Sequence, residues 1–141
     1  KFIDAATLNS EGKEAHEFFV GDRFGITFEI SNPSIIKQSV IGIQVKGIDD
    51  VPLLHMMNRD SSFDLNHEFA TERFRVNVAG MPLFPGDYKI TLTIADPSGH
   101  DLYDNVEACL QFSVLQGGNK VVRNLPKEAG LFFLTPAWEK L

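Results

Sequence analysis

The feature that most constrains this fold is a strict alternation of apolar and polar residues after a sharp turn at Pro85 and Gly86. Proline presets φ for the turn and glycine can take the positive φ that such a turn often needs, so a strand is predicted to begin at Asp87. Side chains along a strand point to opposite faces in turn, with a period of two. The inward face is therefore predicted to hold four residues, Tyr88, Ile90, Leu92 and Ile94.

The same alternation recurs along the chain and predicts strands at residues 2–8, 17–20, 23–31, 39–47, 51–57, 69–78, 87–95 and 104–114. Polar residues 9–13 are predicted to close a first hairpin, and a break is predicted at Asn32, Pro33 and Ser34. The strand at 104–114 is predicted to turn five residues inward: Val106, Ala108, Leu110, Phe112 and Val114. Turn signals at this spacing predict an all-β chain, an immunoglobulin-like antiparallel β-sandwich of about seven to nine strands.

Tyr88 lies at the start of a central strand, two residues after the turn glycine. In immunoglobulin-like sandwiches a tyrosine at such a corner is buried, and its hydroxyl bonds back to the backbone of the loop. The alternative is an ordinary core tyrosine in a hairpin strand.

Length and charge limit the possible functions. The 141 residues are most simply one domain, residues 1–141, and no second core is needed. A net charge of −6 argues against a nucleic-acid partner, because a phosphate-rich polymer would be repelled on average. Cys109 is the only cysteine, which excludes an internal disulfide, and no apolar run is long enough to span a membrane. Because the chain starts at Lys1, we expect it to be a piece of a longer protein.

No arrangement of residues in the sequence predicts catalysis, a metal or a cofactor. His16, His55, His67 and His100 are too far apart in sequence to form a recognisable metal motif, and no glycine-rich phosphate loop precedes a helix. The aspartates around Gly99, which are Asp96, Asp101 and Asp104, fit turn formation better than a calcium loop. We therefore predict that the chain is not an enzyme.

The strands at 39–47, 87–95 and 104–114 are expected to share one sheet, as their counterparts do in immunoglobulin-like sandwiches. Its outer face would be small and neutral: Gly42, Gln44, Thr91, Thr93, Cys109, Gln111 and Ser113. Short hydroxyl and amide side chains leave room for a ligand and offer the donors and acceptors that sugar hydroxyls need. The alternatives are a solvated face, or one covered by the tail or by a second subunit. A second, more charged face, expected to be solvated, carries Thr27, Glu29, Arg73, Arg75 and Asn77.

Residues 115–141 are predicted to be a tethered last strand. Gln116–Asn119 is a glycine-containing link, and an apolar segment follows from Gly130 to Trp138. A strand on a flexible tether can pair with a neighbouring copy as readily as with its own sheet, so an exchanged dimer is expected.

With the strands placed, the chain resembles the C-terminal domain of Wzt, the nucleotide-binding subunit of ABC transporters that export O-antigen polysaccharides. The resemblance rests on Phe-Val-Gly-Asp at 19–22, on Leu-Phe-Pro-Gly-Asp-Tyr at 83–88 and the strand after it, on Phe-Ser-Val at 112–114, and on a last segment ending near Trp138. It covers nearly the whole chain.

The resemblance implies a cytoplasmic β-sandwich at the inner face of the bacterial inner membrane that recognises the finished O-polysaccharide before export. It also implies a homodimer with an exchanged C-terminal strand, and as partners a nucleotide-binding domain and a transmembrane subunit. Sugar would lie on the outer concave face of one sheet, where we predict the ligand residues Gln44, Thr91, Thr93, Gln111 and Ser113, with His55 and Asn58 at the sheet edge. The alternative is a structural dimerisation module with no ligand of its own.

Overall fold

The computed structural model describes residues 1–32 and 36–141. The predicted break at Pro33 and Ser34 lies outside the described residues, whereas Asn32 is described. The described residues form nine strands: β1 (Phe2–Leu8), β2 (Glu17–Phe19), β3 (Phe24–Ser31), β4 (Gln38–Gly47), β5 (Pro52–Met57), β6 (Leu65–Asn66), β7 (Thr71–Val78), β8 (Gly86–Ala95) and β9 (Leu102–Leu115). They also include two short 3-10 helices, Asn58–Ser61 and Lys127–Ala129. The predicted all-β class is confirmed, and none of these helices has the length and apolarity to cross a membrane.

The strands form two sheets that pack as a sandwich. The smaller sheet has the order β1-β3-β7, and the larger has the order β2-β9-β8-β4-β5, with β6 paired to the start of β4. The predicted grouping of β4, β8 and β9 in one sheet is therefore confirmed, with β5 at an edge. All pairs are antiparallel except β2 with β9, which is parallel.

The core lies between the two sheets and is built from their inward faces. Tyr88, Ile90, Leu92 and Ile94 are all buried, as the alternation in β8 predicts. On the facing sheet the buried residues include Phe24, Ile26, Phe28 and Ile30 of β3. Removal of these apolar surfaces from water is the main driving force for such packing.

The tyrosine corner is confirmed. Tyr88 is buried, and its hydroxyl donates a hydrogen bond to the Phe84 carbonyl oxygen of the preceding turn. Gly86 does not take the expected positive φ, since it already belongs to the strand. A Cβ at Gly86 would lie 3.3 Å from the Tyr88 hydroxyl oxygen, so the close approach of this ring accounts for the glycine.

Strand β9 departs from its predicted alternation at a bulge. Ile90 and Leu92 of β8, two residues apart, pair with Leu110 and Val106 of β9, four residues apart, so β9 carries two extra residues here. Ala108 lies in this bulge with a φ of 48° and is exposed, so its predicted inward position is wrong. Two extra residues keep the parity of the strand, which is why the alternation looked uninterrupted.

The expected first hairpin is only a short one. Leu8 and Glu14 form a single bridge, and Ala15 N donates to Thr7 O, after which the chain crosses to the larger sheet. There β2 pairs with β9 and buries Phe18 in the core. The crossing explains why residues 17–19 do not continue the hairpin.

The tail after β9 folds back on its own domain as far as Phe133. Leu125 is buried and both its backbone groups bond to the Gln116 side chain. Phe84 N donates to Leu131 O, and Phe133 N donates to Pro82 O. Residues 116–141, all of them described, form no strand, and Trp138 is 92% exposed. Exchange of this segment between two copies stays a prediction.

Candidate functional site

Four of the predicted ligand residues lie in neighbouring rows across the larger sheet. Gln44 of β4 pairs with Thr91 of β8 on one side and with His55 of β5 on the other. One row away, Thr93 pairs with Gly42. The antiparallel register therefore brings residues from three strands onto one outer face, because directly opposed residues point the same way.

The side chains of Thr93 and His55 converge over the bare backbone of Gly42, which is buried; we call this place the Gly42 notch. A Cβ at Gly42 would lie 2.7 Å from Thr93 Oγ1 and 3.1 Å from His55 Nε2. The two side chains therefore occupy the position that a side chain at residue 42 would take, which accounts for the glycine. Thr93 Oγ1 donates only a long hydrogen bond, 3.4 Å, to Gly42 O, and the His55 ring is exposed. A hydroxyl and an imidazole thus converge on one point of the surface.

Thr91 belongs to the same rows, but it is buried. Its Oγ1 accepts a 3.2 Å hydrogen bond from the backbone N–H of Ala108, so the β9 bulge covers it. The adjoining Cys109 is half-buried, and its thiol lies 3.5 Å from Ile90 O. Burial raises the pKa of the Cys109 thiol, which keeps it protonated at neutral pH. Thr91 and Cys109, which the alternation assigned to an open face, are therefore covered or half-buried in the structure.

Gln111 and Ser113 lie farther along the same face. Gln111 pairs with Lys89, and Ser113 pairs with Asp87 and donates a 2.6 Å hydrogen bond from its Oγ to Asp87 Oδ1. These residues continue the face but do not border the Gly42 notch.

The prediction of a neutral face is wrong. Lys46 and Lys89 are directly opposed on β4 and β8, between the Gln44 row and the Ser113 row. Lys89 Nζ also donates a hydrogen bond to the Asp50 carboxylate, and this bond and the lysine's charge lower the pKa of Asp50. Small polar residues thus lie at the end of the face near Gly42, and charged residues lie at the end near Lys89.

Asn58 is committed to the fold at the end of β5. Its Oδ1 accepts a 2.9 Å hydrogen bond from Ile41 N, and its Nδ2 donates a 2.7 Å bond to Phe63 O. The side chain therefore holds the short helix after β5 against β4. It does not lie with Gln44, Thr93 and His55 on the outer face.

The second predicted face lies on the smaller sheet. Arg73 forms a 2.6 Å ion pair with Glu29 and a 3.7 Å pair with Asp4, and Thr27 Oγ1 donates to Phe74 O. An apolar groove of about 610 Å³ opens at the side of the sandwich between the edges of β5 and β7, and its lining includes Met56, Phe63 and Phe74. Alternation did not predict this groove, because it depends on how two edge strands are spaced.

A buried polar chain, also not predicted, links β4, β7 and the segment between β6 and β7. Ser39 Oγ lies 2.6 Å from His67 Nε2, and His67 Nδ1 lies 2.6 Å from Glu72 Oε2. A carboxylate can only accept, so the imidazole Nδ1–H donates to Glu72, while Ser39 Oγ and Nε2 share the second hydrogen bond. Burial raises the pKa of Glu72, but hydrogen bonds from His67 and the Glu68 N–H outweigh it and hold the pKa below its usual value.

This order of groups is that of a serine-histidine-acid triad, but its surroundings differ from those of a catalytic one. Ser39 and His67 are both buried. A surface cleft at this place is lined by His67 and by Gln38, but not by Ser39. The Ser39 hydroxyl therefore does not face this cleft, and the three side chains tie β4, β7 and the segment between β6 and β7 together.

The histidines and aspartates considered as metal ligands are dispersed. Among residues 1–32 and 36–141, no three His, Cys, Asp or Glu side chains lie close enough together to hold a metal ion. Asp96 Oδ1 accepts a hydrogen bond from Asp101 N, and Asp104 Oδ2 accepts one from Phe2 N, so both carboxylates bind backbone. These contacts are those of turn and strand-end aspartates.

Comparisons with known proteins identify relatives of this chain. The sequence model of the Wzt C-terminal domain family matches residues 1–132. A crystal structure of the C-terminal domain of Wzt aligns with all of this chain and 83% of that chain, with a TM-score of 0.80 and 13% identity. The soluble domain of PmoD from Methylocystis sp. ATCC 49242 aligns with 78% of this chain and 88% of that chain, at 16% identity and a TM-score of 0.39. Comparison with curated protein sequences finds no match.

Proposed function

Because this chain belongs to the Wzt C-terminal domain family, we propose that it is a non-catalytic carbohydrate-binding module that recognises O-antigen polysaccharide for export by an ABC transporter. In this role the chain selects the polysaccharide. A nucleotide-binding domain supplies the energy for export, and a transmembrane subunit forms the path across the membrane. Both are its proposed partners. It acts in the cytoplasm, at the inner face of the inner membrane.

The Gly42 notch is the observation that carries this proposal. Sugar hydroxyls both donate and accept hydrogen bonds, and the notch offers a hydroxyl on Thr93 and an imidazole on His55, with the Gln44 amide one row away. The glycine at residue 42 lets these two side chains lie close together over the sheet.

Binding to a short glycan fragment is expected to be weak. Each neutral hydrogen bond contributes only about 0.5–1.5 kcal/mol net, because it replaces a bond to water. Part of that gain is lost to the ordering of ligand and side chains. A long polymer raises the apparent affinity by offering many equivalent segments, which suits recognition of a repeating polysaccharide.

The exchanged homodimer is part of the same proposal. Beyond Phe133 the tail presents three apolar side chains that are largely exposed, Leu134, Trp138 and Leu141. A second copy would give them a partner. In that dimer the outer face around the notch has to stay open for polysaccharide to enter.

The direct test is a calorimetric titration with O-polysaccharide from the organism that carries this chain, with dextran as the unrelated polymer. Thr93→Val keeps the side-chain shape and removes the hydroxyl, and His55→Ala removes the ring. Each is expected to weaken binding about twofold to tenfold, the equivalent of one lost hydrogen bond. Thr71→Val, an exposed site on the smaller sheet, is the matched control and should bind normally.

The alternative, a structural dimerisation module, makes the opposite prediction for a bulky substitution on this face. Gln44→Trp should abolish polysaccharide binding and leave the dimer intact if the face reads sugar. If the face packs against protein, the same variant should break the dimer, and the wild-type domain should bind neither polymer.

A further inference from the structure

A cleft of about 460 Å³ lies at one end of the smaller sheet, away from the Gly42 notch. It is formed by the turn after β1, the start of β3 and the end of β7. Two arginines, Arg23 and Arg75, line it, and none of its lining residues is acidic. The whole chain has 19 acidic against 13 basic residues, so the positive charge of this cleft is opposite to the net negative charge of the protein.

The two arginines differ from their neighbour Arg73. Arg73 is neutralised by Glu29 and Asp4. Within residues 1–32 and 36–141, neither Arg23 nor Arg75 forms an ion pair or a side-chain hydrogen bond. The contacts of this kind on the smaller sheet that involve an arginine are those of Arg73. The Arg75 guanidinium extends to the turn, where Nη1 lies 3.7 Å from the position of a Cβ on Gly12.

The turn beside the arginines adds a fixed donor. Asn9 Oδ1 accepts hydrogen bonds from Glu11 N at 2.9 Å and Lys13 N at 3.1 Å, which holds the amide in place. Its acceptor is thereby used, and its Nδ2 group, a donor, is left for a ligand. Gly25 forms part of the lining on β3, where a Cβ would lie 3.4 Å from Asn77 Oδ1.

We propose that this cleft binds the carboxylate of an acidic sugar unit in the polysaccharide. Two guanidinium groups can hold a planar carboxylate through paired hydrogen bonds, and the Asn9 amide and Ser10 hydroxyl can bond the ring hydroxyls. The volume is within the range of small-molecule sites. The inference rests on the proposed function for the source of the anion, but it concerns a second site on the other sheet.

The test uses the full chain labelled with ¹⁵N, with oligogalacturonate as the acidic probe, a maltooligosaccharide as the neutral one and inorganic phosphate as the free anion. We expect oligogalacturonate to shift the Nε–H signals of Arg23 and Arg75. Arg23→Gln and Arg75→Gln should each weaken its binding about tenfold, as expected for loss of a charge-assisted hydrogen bond. Arg73→Gln, the same charge change on the same strand, should alter it by less than about twofold.

Three results would overturn the assignment. Oligogalacturonate could leave both arginine signals unmoved, or Arg73→Gln could weaken binding as much as the cleft variants. Phosphate could also saturate the cleft as tightly as the oligosaccharide, which would make it a site for a free anion. Signals of the Gly42 notch, followed with the cognate O-polysaccharide in the same preparation, report separately on the proposed function.

Discussion

Removal of the Tyr88 hydroxyl is the sharpest test of how the turn and the central strand are joined. In Tyr88→Phe the ring keeps its place, because it stacks on Phe112 with centroids 5.5 Å apart. What is lost is the donor to the Phe84 carbonyl, which is then left buried without a partner. A lost partner of this kind costs about 1–3 kcal/mol. For a domain of this size that corresponds to a fall in Tm of about 3–10 °C.

The assay is urea unfolding followed by far-UV circular dichroism, because Trp138 is 92% exposed and its fluorescence would not report on the core. Tyr103→Phe makes the same chemical change at an exposed site, and it should alter the free energy of unfolding by less than about 0.5 kcal/mol. A loss in Tyr88→Phe no larger than in this control would refute the argument that the hydroxyl stabilises the corner. Burial raises the pKa of Tyr88, so the hydroxyl stays a donor through neutral pH.

Three further predictions test other parts of the molecule. The pKa of Glu72 is lower in the folded state, so its stabilising effect should be complete at neutral pH and lost as pH falls below about 5. Chemical unfolding at several pH values should show this loss, and Glu72→Gln should make the free energy of unfolding depend less on pH. Gly99 and Gly118 both have positive φ, but of the two only Gly118 would place a Cβ against a neighbour, Phe19, at 2.6 Å. Gly99→Ala should therefore lower the free energy of unfolding by about 1 kcal/mol, and Gly118→Ala by distinctly more. Equal losses in urea unfolding would contradict the clash. Removal of residues 134–141 should convert the proposed dimer to a monomer in light scattering after gel filtration, whereas a truncated chain that still dimerises would place the interface elsewhere.

The sequence predicted the sheets well because alternation is a direct consequence of strand geometry. The inward residues of β8 could be assigned from period two alone, and the Pro85-Gly86 turn with Tyr88 predicted the corner. The motifs at 19–22 and 83–88 carried the family resemblance, which the family match confirms. Local order along one strand was enough for these predictions.

The details of the site depend on the partner strands, which alternation does not report. The β9 bulge keeps the strand's parity, so nothing in the residues around Ala108 showed that Thr91 would be covered. The pairing of Lys46 with Lys89 follows from the register between two strands. Asn58 looked like an edge ligand, but its amide is satisfied by backbone groups that only the folded loop brings near.

Long sequence separation hid the buried polar chain in the same way. Ser39, His67 and Glu72 come from different elements, and no spacing rule joins them. The Gly42 notch was also not visible as a notch, since it requires Thr93 and His55 to arrive from two sides of one glycine. The register between neighbouring strands therefore determines which side chains meet at the site, whereas the period-two alternation within each strand was enough to predict the fold class.

The measurement that tests the central claim most directly is an NMR titration of the ¹⁵N-labelled chain with its cognate O-polysaccharide. The account predicts saturable shifts centred on the backbone amides of Gly42, Gln44, His55 and Thr93, and none with dextran. Shifts confined to β1, β3 and β7, or no shifts in a folded domain, would contradict recognition by the outer face of the larger sheet.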